Sequence, residues 1–362
     1  MTDQTDATGE RPRLRDDLAE LSGYHSPQVD VDVRLNTNES PFPPPVAFVA
    51  ALSDKVREIA LNRYPDRQVS DLRRAIADFV GVDVANVFAA SGSNEVIQVL
   101  LLAYGGPGRS AVVFDPTYRM HTHIAEITTT QVVSVRRGNG FVTTPELVDE
   151  TLAAHDPDIV FFCNPNNPTG TPEPRAVVET AAERPDRLVI VDEAYAEFAQ
   201  VSHLDLAVSM PNVVVCRTMS KAWSLPALRV GYMVACPEII ADLATAHLPY
   251  HLDALAQAAG CLALDDFCAE MTERVALIVA ERKRVSGRLE SMPGIQIWPS
   301  AANFILFRTE LDGDEVWSRL VDAGVLVRNA AGWEGTTGCL RVTVGTHEEN
   351  DRFLDALATI VK

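Results

Sequence analysis

The chain has 362 residues, 47% hydrophobic and 22% charged, an ordinary globular composition with room for one large α/β domain and a smaller one. Its formal net charge of −19, with no basic run beyond pairs such as Arg73-Arg74 and Arg136-Arg137, excludes a nucleic-acid-binding surface. Six scattered cysteines without a Cys-x-x-Cys pair, a polar N-terminus without an apolar signal core, and no apolar run of about 18 residues lead us to expect reduced core thiols, a cytoplasmic location, no metal site and no membrane span.

Residues 1–13 are expected to be disordered, followed by a short helix at 15–21 and a turn at 22–27 that carries Tyr24. Residues 34–45 hold Pro41, Pro43, Pro44 and Pro45, too many for a helix or a central strand, so they read as a loop or linker. Helical spacing covers 46–60, Asn62-Arg63-Tyr64-Pro65-Asp66 stops it, and a second helix is expected at 69–80. A strand at 87–90 then runs into Ser91-Gly92-Ser93-Asn94-Glu95 and a helix at 96–103. A strand, a glycine turn and a helix make a generic anion site, because free amides and the helix dipole point into the turn. The same serines and glutamate also make an ordinary helix-capping pattern.

Apolar runs at 111–114, 131–135, 158–163, 188–191 and 213–216 are continuous rather than alternating. They predict strands buried on both faces, hence a mostly parallel sheet sandwiched by helices. In such sheets a ligand lies beyond the carboxyl ends of the strands, and that is where the polar residues fall. Tyr118 follows the first run and suits stacking on a flat ring. Asn164-Pro165-Asn166-Asn167-Pro168-Thr169-Gly170 follows the third as a rigid turn. Asp192 ends the fourth, where a buried carboxylate is costly unless paired. After the fifth come Thr218, Ser220 and Lys221, with Arg229 eight residues past the lysine and another apolar run at 230–235. A lysine between two core strands either snorkels to water or is kept neutral and nucleophilic by desolvation, and hydroxyls with a guanidinium nearby could converge on a phosphate.

One long helix is expected over 265–290, since no breaker interrupts it. Short segments follow at 295–298, 304–308, 315–323 (helical), 325–328, 340–344 and 348–360 (helical), the pattern of a small α+β lid. Arg328 and Arg341 close strands there and, taken alone, read as surface residues. The expected division is an arm over 1–45, a large domain over 46–268 and a small domain over 269–362.

Taken in order, Asn167-Pro168-Thr169-Gly170, Asp192-x-x-Tyr195, Ser220-Lys221 with Arg229, and Arg341 resemble the fold-type I pyridoxal-phosphate aminotransferases, and the resemblance spans nearly everything beyond residue 13. It implies pyridoxal 5′-phosphate as cofactor and Lys221 as the lysine that carries it and moves the substrate proton. It implies a phosphate cup of Gly92, Ser93, Asn94, Thr218, Ser220 and Arg229, completed by Tyr64 of the partner subunit in a homodimer. Asn167 and Tyr195 would then bond the phenolic oxygen, Asp192 the pyridine nitrogen, and Tyr118 would stack on the ring. Asn36-x-Asn38-Glu39-x-Pro41-Phe42 and the extra Arg328 resemble the branch acting on histidinol phosphate with 2-oxoglutarate, which implies small-molecule substrates held by Tyr24, Asn38, Arg328 and Arg341. The sequence departs from the family pattern at Pro226 and Arg119. An aromatic amino-acid aminotransferase, a threonine-phosphate decarboxylase and a cofactor-sensing regulator on the same fold remain as alternatives.

Overall fold

The computed structural model describes residues 12–19, 21, 23 and 28–362. The expectations for residues 1–11 and for the turn bearing Tyr24 lie outside the described residues. Up to Asp30 the chain forms a unit of its own, and there the helix expected at 15–21 is a single turn, α1 (Asp16–Ala19). Val31–Lys362 form the other compact unit.

This second unit opens with β1 (Val33–Leu35), α2 (Val46–Glu58) and α3 (Ser70–Val80). Next come β2 (Val87–Ser91), α4 (Ser93–Tyr104), β3 (Ser110–Asp115), α5 (Arg119–Ile127) and β4 (Gln131–Arg136). The middle of the chain supplies α6 (Pro145–His155), β5 (Ile159–Cys163), α7 (Arg175–Ala182), β6 (Leu188–Asp192), α8 (Leu204–Ser209), β7 (Val213–Thr218), β8 (Val230–Val234) and α9 (Pro237–Asp242). The C-terminal third carries α10 (Ala254–Asp266), α11 (Cys268–Glu290), β9 (Ile295–Ile297), β10 (Phe304–Thr309), α12 (Gly313–Asp322), β11 (Val325–Asn329), β12 (Cys339–Thr343) and α13 (His347–Ile360).

Seven strands form the larger sheet in the order β2-β8-β7-β6-β5-β3-β4, and only β8 runs against its neighbours. Every residue of β5, β6 and β7 is buried, as their unbroken apolar runs require of strands covered on both faces. Alternate side chains feed two cores: Ile190, Val214 and Cys216 pack with Ile97 and Leu100 of α4, while Val189, Val213 and Val215 pack with Val177 and Val178 of α7. The helices start where local chemistry lets them. Asp253 caps α10, Thr144 caps α6 ahead of Pro145, and Thr346 with Glu349 forms a full capping box on α13.

The second sheet, β1-β11-β12-β10-β9, contains a surprise for the N-terminal arm. Residues 34 and 35, read as the start of a loop or linker, instead belong with Val33 to a strand that pairs in parallel with β11 at the sheet's edge, where the prolines that follow cost no ladder bond. The long helix expected over 265–290 is also corrected. Phe267, with φ −125° and ψ 16°, separates α10 from α11, and its ring packs edge-on against Phe48 at 5.4 Å. Packing of an aromatic anchor, rather than a proline or glycine, makes that break. All six cysteines are free thiols. Among the described residues no helix is long and apolar enough to cross a membrane, and no His/Cys/Asp/Glu group could hold a metal ion.

Candidate active site

Because β2, β3, β5, β6 and β7 run parallel while β8 runs the other way, the residues after the first five and the residue before β8 share one edge of the sheet. Gly92, Tyr118, Asn167, Asp192, Lys221 and Arg229 all occupy it.

The cup is built from close backbone approach. Gly92 takes φ 80° at the start of α4, and a Cβ there would sit 2.4 Å from a guanidinium nitrogen of Arg229. Gly231, on β8, passes so near that a Cβ would lie 2.2 Å from both the Gly92 carbonyl carbon and the Ser93 nitrogen. The twelve-residue α4 has no side-chain cap at Gly92, while Glu95 reaches back to the Ser91 amide at 2.5 Å, so the capping pattern is only half used. Around this turn the Thr218 hydroxyl donates to Ser220 Oγ at 2.9 Å, and Arg229 donates to the same oxygen at 3.3 Å. Hydroxyls, a guanidinium and a helix N-terminus thus meet where a Cβ would fill the space, and these donors fit a phosphate dianion.

Lys221 lies beside this cup and donates to the Thr37 carbonyl at 3.0 Å. Burial, reinforced by the charges of Arg341 and Arg229, lowers its pKa to about 8 despite opposing pull from Glu39 and Asp192. Its ammonium stands 5.9 Å from the centre of the Tyr195 ring. Burial pushes the Tyr195 phenol up, and Asn38 Nδ2 donates to its oxygen at 3.0 Å. Asn38 is itself held by the second sheet: its amide donates to Thr343 Oγ1, whose hydroxyl donates back to Asn38 Oδ1, both at 3.0 Å.

Asp192 is 1% exposed and bonds His121 Nε2 at 2.9 Å, with the Ala194 amide donating to its other oxygen. His121 stacks on Phe161 at 4.9 Å and meets Tyr118 edge-on at 5.4 Å. This fully buried histidine escaped the sequence reading; its signal is its place three residues after Tyr118, the residue that caps α5, so that the helix's first turn brings the two rings together. A second missed group lies below the loop. Burial works against ionisation of Glu193, yet hydrogen bonds from His203 and the charge of Arg217 hold its pKa at about 2. That pair fixes the end of β7 ahead of Lys221.

Arg328 and Arg341 are directly opposed on β11 and β12, so both side chains leave one face of the small sheet. Arg341 is buried, donates to Asn167 Oδ1 and to the Asn36 carbonyl, and lies over Phe304. The contact to Asn167 brings the small sheet onto the large sheet's edge. Tyr118 donates to Asn94 Oδ1 at 3.4 Å. Tyr64 stands outside this set of bonds: it is 79% exposed and stacks on Tyr250 at 4.4 Å. Pro226 opens a short 3-10 turn that ends at Arg229, and Arg119 is exposed at the start of α5.

The arrangement offers a nucleophilic amine, a dianion cup, a buried carboxylate and an arginine pair. The aminotransferase class I and II family model matches residues 30–357, and the chain belongs to this family. It is 45% identical over 359 residues to a histidinol-phosphate aminotransferase of Frankia casuarinae, covering 95% of this chain and 89% of that one. A histidinol-phosphate aminotransferase of Thermobifida fusca is 44% identical over 353 residues, with 96% and 95% covered. The solved histidinol-phosphate aminotransferase of Sinorhizobium meliloti, in complex with pyridoxal-5′-phosphate, shares the fold at a TM-score of 0.88 and 23% identity, over 97% of this chain and 98% of that one.

Proposed function

We propose that this chain transfers the amino group of histidinol phosphate to 2-oxoglutarate, giving imidazole-acetol phosphate and glutamate, with pyridoxal 5′-phosphate as cofactor. The observation that carries the substrate assignment is the opposed pair Arg328 and Arg341, which suits a phosphate dianion better than one guanidinium does. The activity named for relatives at 44–45% identity supports it.

When bound, the cofactor supplies an electron sink for the pair left on the substrate Cα. The residues do the rest. Thr218, Ser220, Arg229 and the amides after Gly92 would hold the 5′-phosphate, and Asp192, oriented by His121, would face the ring nitrogen. Tyr195 and Asn167 would serve the phenolic oxygen, and Tyr118 would cover the ring. Lys221, its pKa lowered to about 8, would take the proton from the substrate Cα as general base and give it back as general acid. The working unit is a cytoplasmic homodimer to which each partner lends Tyr64. It divides into an arm over 1–45, a large domain over 46–268 and a small domain over 269–362, with Tyr24 and Asn38 of the arm joining the arginines at the substrate.

The test is to follow each half-reaction separately by cofactor absorbance. Arg328→Ala should lower kcat/KM for histidinol phosphate about tenfold, the effect of losing one charge-assisted hydrogen bond, and glutamate should suffer less. Arg341→Ala should damage both halves. Equal losses for the two substrates in Arg328→Ala would return the site to a dicarboxylate or aromatic aminotransferase.

A further inference from the structure

The loop between β11 and β12, residues 330–338, holds a residue that no part of the mechanism above uses. Trp333 is half-buried, and the Arg328 guanidinium lies 5.4 Å from the centre of its ring. Its Nε1 donates to the Thr117 carbonyl at 2.7 Å, across to the large sheet. Thr117 is no loose anchor. It is 3% exposed, its hydroxyl donates to Asn166 Oδ1 at 2.8 Å, and Asn166 Nδ2 donates to the Pro116 carbonyl at 2.8 Å. Thr117 and Asn166 directly precede Tyr118 and Asn167 in sequence, so the indole is fastened to the two turns that carry the ring-facing candidates. The loop behind it is closed on itself: the buried Thr336 hydroxyl bonds the Ala330 carbonyl at 2.5 Å and the Trp333 carbonyl at 2.8 Å. The indole therefore has a fixed edge and a fixed backbone, and presents its face to one cation.

We propose that Trp333 is a positioning and specificity residue that holds the Arg328 guanidinium in place for the anionic end of the amino donor. This rests on the reading of Arg328 as a substrate contact. A planar guanidinium on a long side chain loses rotamer freedom when it binds an anion, and an aromatic face that already holds it removes part of that cost. The effect falls on binding of the donor whose anion Arg328 meets, and glutamate, gripped at its carboxylate by Arg341, is spared. Arg119, with a guanidinium nitrogen 3.8 Å from where a Cβ on Gly332 would sit, flanks the same loop and adds positive charge beside it.

The experiment compares Trp333→Leu, Trp333→Phe and Arg328→Ala, alone and combined, in the two half-reactions and in inhibition of the glutamate half-reaction by inorganic phosphate. Trp333→Leu should raise KM for histidinol phosphate about fivefold to tenfold and weaken phosphate inhibition by a like factor, with kcat and the KM for glutamate within about twofold. Trp333→Phe keeps an aromatic face without the anchoring N–H and should recover part of the loss. On an Arg328→Ala background Trp333→Leu should cost nothing more. Equal losses for glutamate and histidinol phosphate, additivity with Arg328→Ala, or unchanged phosphate inhibition would overturn the proposal. A wild-type enzyme that ignores histidinol phosphate while Trp333→Leu still weakens phosphate inhibition would sink the donor assignment and leave the role of Trp333 standing.

Discussion

At the scale of single residues, the proposed chemistry rests on one amine and the charges around it. Lys221 has a folded-state pKa lowered from the ordinary 10.5 to about 8, with burial the chief cause. The unfolded chain therefore binds more protons than the folded one between those values, and folding stability rises with pH across that window. Below pH 8 the full cost of keeping a charged amine in place remains. Cofactor-free protein should accordingly gain stability relative to Lys221→Met as pH climbs from about 8 to about 10, seen as a converging Tm difference. Covalent capture of the cofactor aldehyde should speed up through the same lower bound, because only the neutral amine attacks. A flat rate from pH 6 to 9 would place the amine's titration elsewhere. Lys221→Ala should abolish transamination in a single-turnover assay, and a variant turning over near the wild-type rate would remove Lys221 from its central role.

Elements place that amine, and their spacing tolerates little change. The β2 turn and β8 meet so closely at Gly92 and Gly231 that any side chain at 231 must displace backbone. Gly231→Ala should destabilise the protein by about 1–3 kcal/mol, the usual cost of overpacking, and weaken cofactor binding in an equilibrium titration because the phosphate turn moves with it. Unchanged affinity would mean the turn relaxes without opening the cup. Much of this layer is legible in the sequence. β5, β6 and β7 announce themselves as unbroken apolar runs, and the polar residues that follow them fall on one edge as a direct consequence of parallel pairing. What was not legible depends on contacts distant in sequence. The break at Phe267 comes from its ring settling on Phe48, with no local breaker to mark it. The pairing of β1 with β11 joins segments almost 300 residues apart. The bond between His121 and Asp192 needs two elements to be packed before the histidine's purpose is visible. Trp333 likewise looks like a loop aromatic until Thr117 is placed beneath it.

For the molecule as a whole, the proposed homodimer would have to form between chains that each carry a net charge of −19. Like charge opposes the contact, so apolar surface has to drive it. Leu61, Tyr64 and Leu248 are 83%, 79% and 75% exposed, and the stacked pair of Tyr64 and Tyr250 joins their two segments. Sedimentation at micromolar concentration should give twice the chain mass, and raised salt should not weaken the dimer, since screening removes repulsion. A shared site makes a sharper claim. If each cup takes Tyr64 from the partner subunit, Tyr64→Ala and Lys221→Ala damage the two contributions to a site that come from different chains. Neither variant alone would be fully active. In a mixed dimer, however, one site pairs an intact Lys221 with an intact Tyr64 from the other chain, while the second site carries both defects. Equal mixing with free exchange makes half of all dimers mixed, so the mixture should recover about a quarter of wild-type activity. The measurement is turnover after co-refolding the two variants, against each refolded alone. Activity equal to the average of the separate variants would show that Tyr64 serves its own chain or none, and would take it out of the site.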